Sequence, residues 1–118
     1  MSAATPPVSR VTTHVLDATS GRPAEGVAVE LLAFDGVSWR SVDTAATDAD
    51  GRVTRIGPDE LPAGDYRLRF ETGAWFAEHG VDTFYPEVVL TITVNDDGRH
   101  VHAPLLLSPF AYSTYRGS

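Results

Sequence analysis

The sequence predicts an all-β protein, a two-sheet antiparallel sandwich with one short helix. Runs rich in β-branched and aromatic residues recur about every 8–12 positions between Gly, Pro, Asn and Asp clusters. Strict polar–apolar alternation marks at least one run, and only one segment carries helix signals. The 118 residues suit one domain with a single core.

Residues 1–9 open as MSAATPPVS, a small, proline-rich stretch read as a flexible leader, and the single domain is expected over 10–118. The first strand is expected at 10–16 (RVTTHVL), where Thr12, His14 and Leu16 share one face and Val11, Thr13 and Val15 the other. A turn-rich loop follows from Asp17 to Pro23. Strands are then expected at 27–34, closed by Asp35-Gly36, at 39–47, closed by 48–51 (DADG), and at 52–56. In 65–71 (DYRLRFE), Tyr66, Leu68 and Phe70 point one way and Arg67 and Arg69 the other. The helix is placed at 72–79, with Thr72 as N-cap and Gly80 beyond its end. Strands at 86–94 and 99–107 follow, with a tail strand at 111–115.

Composition removes several classes of chemistry. Cysteine is absent, which excludes disulfides, thiolate nucleophiles and cysteine-held metals. All nine basic residues are arginine, so there is no lysine for a Schiff base or a P-loop. A net charge of −7 with dispersed arginines argues against nucleic-acid binding. No apolar stretch nears the roughly 20 residues that span a bilayer, and the N-terminal residues lack the signal-peptide pattern. The chain therefore reads as soluble and cytoplasmic. Neither G-x-S-x-G nor G-x-G-x-x-G occurs, and the 48–51 loop lacks the closing glutamate of a calcium site.

Histidine is the side chain able to exchange protons near neutrality. His100 and His102 lie two apart and share a strand face, where they could line a pocket, hold a metal edge-on or face solvent. His79, before Gly80, suits the end of a helix, where a cation is favoured. Arg52 after Gly51 is either a solvated strand end or a guanidinium aimed into a cleft to hold a carbonyl or anion. Phe110, Tyr112 and Tyr115 alternate with small residues toward Ser118, which predicts a packed tail with the Ser118 carboxylate beside Arg116.

The run from His100 to Ser118, HVHAPLLLSPFAYSTYRGS, closely resembles the C-terminal signature of the 5-hydroxyisourate hydrolases, transthyretin-like enzymes of urate breakdown. Thr13-His14-Val15-Leu16-Asp17 with Ser20-Gly21-Arg22-Pro23 is similar to that family's opening motif. Thr47 to Arg52, Tyr66 to Phe70 and Phe84-Tyr85-Pro86-Glu87 also resemble it, so the likeness spans residues 10–118.

The resemblance implies a transthyretin-like (prealbumin-like) sandwich, assembled as a homotetramer with active sites at the dimer–dimer interface and 5-hydroxyisourate as substrate. Carried over by position, the catalytic residues are His14, Arg52, His102 and Ser118. Substrate contacts are His14, Arg52, Tyr115 and Arg116, with His100 placed nearby. No metal or other cofactor is implied, although His14, His100 and His102 would suit zinc by residue type. With no cysteine or lysine, direct attack by a water activated by His102 or His14 is expected, Arg52 stabilising the oxyanion. The main rival is a non-catalytic carrier of small aromatic ligands on the same fold. An immunoglobulin-like adhesive module of a secreted protein fits less well, since the signal-peptide pattern is missing. Extending the chain beyond Ser118 with a tag should impair turnover much more than folding, checked by paired activity and thermal-unfolding measurements; unchanged turnover would take the Ser118 carboxylate out of the mechanism.

Overall fold

The computed structural model describes residues 8–118. The expected leader lies, through residue 7, outside the described residues. Ser9 is already anchored: it is buried, its amide donates to the Thr54 carbonyl (3.0 Å), and its Oγ accepts from the Ile56 amide (2.8 Å).

Among the described residues, nine strands and one helix follow in the order β1 (Val11–Asp17), β2 (Arg22–Pro23), β3 (Ala28–Phe34), β4 (Trp39–Ala46), β5 (Arg52–Ile56), β6 (Gly64–Phe70), α1 (Thr72–Glu78), β7 (Val88–Val94), β8 (Val101–Ser108) and β9 (Ala111–Thr114). One sheet runs β2-β1-β8-β9, with β5 also paired to β1; the other runs β4-β3-β6-β7. The expected sandwich is present. Its pairings are antiparallel except one, because β1 and β8 run parallel.

The core lies between the sheets and follows the alternation of the strands. Val11 and Val15 of β1, Leu31 of β3, Leu68 and Phe70 of β6, and Leu105 and Leu107 of β8 are all fully buried or nearly so. Burying each such side chain contributes about 1.5–3 kcal/mol, which holds both sheets face to face. Thr13 shares this inward face and satisfies its hydroxyl by donating to the Ala103 carbonyl (2.6 Å).

Three local expectations need correction. Thr72 is not the N-cap: Glu71 takes that place without a side-chain cap bond, and Thr72 is the first helical residue, its hydroxyl buried and unpartnered. The neighbouring Gly73 amide is satisfied by the Pro86 carbonyl (3.0 Å), so a carbonyl from outside the helix takes up an amide of the first turn. Residues 22–23, expected in a loop, form β2 against Leu16 and Asp17. Of the tail aromatics, Tyr112 meets the Tyr85 ring edge-on (centroids 5.1 Å apart), but Phe110 is 68% exposed and Tyr115 60%. β9 is tied to β8 by its backbone ladder and by two hydroxyls, Thr114 Oγ1 donating to the Pro104 carbonyl (2.7 Å) and Ser108 Oγ to the Ala111 carbonyl (2.7 Å). His79 does end the helix as expected, with Nδ1 2.7 Å from the Trp75 carbonyl.

The parallel pairing sets the geometry that matters most. It places Thr12 opposite His102 and His14 opposite Pro104, while the β1–β5 pairing places His14 opposite Arg52. The turn before Arg52 depends on Gly51, whose φ of +75° favours glycine and whose missing Cβ would strike the Val15 carbonyl. Gly51→Ala should therefore destabilise the fold by about 1–3 kcal/mol in denaturant unfolding. Unchanged stability would mean that the turn is not held as described.

Candidate active site

A cavity of about 190 Å³ opens where β1, β5 and the start of β8 meet the C-terminal residues. Its polar lining includes Thr12, Arg52, His100, His102 and Ser118. Four of the residues singled out from sequence thus come together from three separated stretches of chain. Arg52 is aimed from the first position of β5, its amide held by Asp48 Oδ1 (2.9 Å). His100 precedes β8 rather than lying inside the strand, as had been expected.

His14 is half-buried at the next same-face position of β1 after Thr12 and is not part of the cavity wall. Its charge nonetheless reaches His102. Tyr115 and Arg116 line a neighbouring groove of about 460 Å³, formed by β7, β8 and β9, which also includes His102. His102 is therefore the wall shared by the two spaces. Arg116 directs Nη2 to the His100 carbonyl (3.5 Å), and among the described residues it makes no ion pair with Ser118.

The two imidazoles stack, with ring centroids 6.3 Å apart and planes 21° from parallel. Thr12 Oγ1 lies 2.8 Å from His102 Nδ1 and 3.0 Å from His100 Nε2. Sequence reading placed Thr12 on the face of His14 but gave it no part in the site. The alternation pattern carried that much; what it lacked was the β1–β8 register that brings Thr12 to His102.

The C-terminal residues complete the site by close approach. Pro104 lacks an amide hydrogen, and the β8–β9 ladder ends at Leu105–Thr114 before resuming as a single bridge between His102 and Gly117. The Gly117 amide donates to the His102 carbonyl (2.8 Å). A Cβ on Gly117 would come within 2.6 Å of His102 Cδ2, so a side chain there would push the imidazole aside.

Burial holds the His102 pKa below its ordinary value of 6.5, and the charges of His100, Arg52 and His14 act in the same direction. His102 is therefore neutral at neutral pH and able to accept a proton. Among the described residues, no group of three or more His, Asp or Glu side chains is placed to hold a metal ion.

The HIUase/Transthyretin family model matches residues 11–117. The chain belongs to the HIUase/Transthyretin family. Within it, the chain is 43% identical over 106 residues to the 5-hydroxyisourate hydrolase of Salmonella dublin, covering 89% of this chain and 78% of that protein. Among solved structures of HIUase/Transthyretin proteins, it resembles Klebsiella pneumoniae 5-hydroxyisourate hydrolase, with a TM-score of 0.82 and 40% identity, covering 92% of this chain and 98% of that one. It also resembles sea bream transthyretin in complex with thyroxine, with a TM-score of 0.85 and 32% identity, covering 92% and 94%.

A lowered His102 pKa has a direct kinetic signature if that imidazole must be neutral to work. As pH falls, activity should persist through 6.5 and be lost only below it, because protonation then removes the base. A kcat/KM profile checks this, and an acid limb at or above 6.5 would contradict it.

Proposed function

We propose that the protein hydrolyses 5-hydroxyisourate to 2-oxo-4-hydroxy-4-carboxy-5-ureidoimidazoline in urate catabolism. The observation that carries this reading is the convergence of Arg52, His100, His102 and Ser118 on one cavity in a chain of this family. Curated relatives with this name cover most of the chain, among them the Caulobacter vibrioides enzyme at 42% identity.

The substrate is a flat, nitrogen-rich ring whose opening needs a nucleophilic water, a stabilised oxyanion and a proton for the leaving nitrogen. His102, neutral and half-buried, takes the proton of the attacking water. The hydroxide adds to the ring carbonyl, and the Arg52 guanidinium holds the developing oxyanion through its planar fork. Collapse of the tetrahedral intermediate breaks the ring C–N bond, and the proton gathered by His102 passes to the departing nitrogen. His14 tunes the electrostatics of His102 from the adjacent position, Ser118 orients water or substrate, and Tyr115 and Arg116 bound the approach. The reading assigns no step to a metal or another cofactor.

The working assembly in this reading is a homotetramer with the sites at the dimer–dimer interface, in the cytoplasm. The exposed aromatic side chains of Phe84, Phe110, Tyr112 and Tyr115 support burial against other subunits. Small-ligand carriage is the second reading, favoured by the 460 Å³ groove and by the likeness to a thyroxine-bound transthyretin.

The test uses 5-hydroxyisourate freshly generated from urate by urate oxidase, with its decay followed optically. Wild-type protein should accelerate decay, and His102→Asn should cost roughly 10²–10⁴-fold. Arg52→Lys should cost on the order of 10²–10³-fold despite keeping the charge, because the fork is lost. Decay at the spontaneous rate with wild-type protein would sink the hydrolase reading and leave carriage in its place.

A further inference from the structure

Between the two stacked imidazoles lies a hydroxyl with a single proton. Thr12 is 5% exposed, and its Oγ1 is within hydrogen-bond distance of His102 Nδ1 (2.8 Å) and His100 Nε2 (3.0 Å). The hydroxyl can donate to only one of these nitrogens and must accept from the other, so the ring protons are coupled through it. The two rings differ in their surroundings. His102 is half-buried and faces Arg52 of β5 and His14 of β1, whereas His100 is exposed, with Arg116 reaching its backbone carbonyl. A cation is poorly tolerated at the first position and solvated at the second.

We propose that Thr12 is a positioning residue that relays a proton between His102 and His100, an inference that rests on the hydrolase reading. In the resting arrangement, His102 Nδ1–H donates to Thr12 Oγ1, and the Thr12 hydroxyl donates to His100 Nε2. His102 Nε2 is then left with its lone pair free toward the cavity. When water attacks, its O–H bond breaks, its proton binds His102 Nε2, and the electron pair stays with the hydroxide that adds to the carbonyl. The Nδ1 proton passes to Oγ1 as the hydroxyl proton passes to His100 Nε2. One proton is thereby transferred from water to His100, and His102 ends neutral with its proton on Nε2. The same movements in reverse deliver that proton from His102 Nε2 to the leaving nitrogen and return His100 to its neutral state. The exposed ring thus stores the charge that the half-buried ring cannot.

Two readouts test the relay. Nitrogen-15 NMR of the imidazoles in wild-type protein at pH about 8 should show His102 and His100 both protonated on Nδ1. Finding both protonated on Nε2 would overturn the proposal whatever the activity. In the decay assay, Thr12→Val should lower kcat roughly tenfold to a hundredfold, part of the ~10²–10⁴ that acid–base catalysis supplies, with KM changed less than about twofold. Thr12→Ser, which keeps the hydroxyl, should restore kcat to within about threefold of wild type. Full kcat in the valine variant, or equal losses in the valine and serine variants, would refute the relay. Should the valine variant fail to fold, the serine variant and the wild-type spectra still decide. Failure of wild-type protein to accelerate decay would count against the hydrolase reading, while the tautomers would still report on the hydrogen bonds of Thr12.

Discussion

The parallel pairing of β1 with β8 is the constraint on which the site depends. Strands far apart in sequence must meet in one register for Thr12 to face His102 and for His14 to stand between Pro104 and Arg52. A shift of one residue would send Thr12 and His14 into the core and bring Thr13 and Val15 out. The buried Val11, Val15, Leu105 and Leu107 oppose that shift, since each would exchange an apolar environment for water. The apolar pattern that builds the sandwich thus also fixes the chemistry on its opposite face.

Around His102 the same fold sets protonation. Burial takes water away from the ring, and the positive charge of Arg52 acts in the same direction. Both effects favour a neutral imidazole, the form a general base requires. Gly117 presses close enough to limit where that ring can lie, and the bridge to the His102 backbone ties the C-terminal residues to the same position. Pocket, base and tail are therefore one mechanical unit.

Much of this was legible in the sequence. Alternation in the first strand and in β6 gave the inward faces correctly, and the turn clusters marked where strands stop. The apposition of Arg52, His100, His102 and Ser118 came from the family resemblance; no local pattern could supply it, because it rests on pairing between strands. That same non-local pairing explains why Thr12 passed without a role and why the parallel β1–β8 ladder was not expected. Thr72 misled for a different reason: a threonine before a helical run has the chemistry of a cap, but here burial draws it inside the first turn. Phe110, Tyr112 and Tyr115 of the tail were expected to pack, yet within the chain Tyr112 meets Tyr85 while Phe110 and Tyr115 stay exposed.

The most direct test of the account is a crystal structure of the protein with a flat, non-hydrolysable purine-like analogue of the substrate. The account places the analogue in the cavity of Arg52, His100, His102 and Ser118, with a ring carbonyl on the Arg52 guanidinium and a water between it and His102 Nε2. An analogue seated instead in the groove of β7 and β9, with Arg52 and His102 turned away from it, would contradict the account.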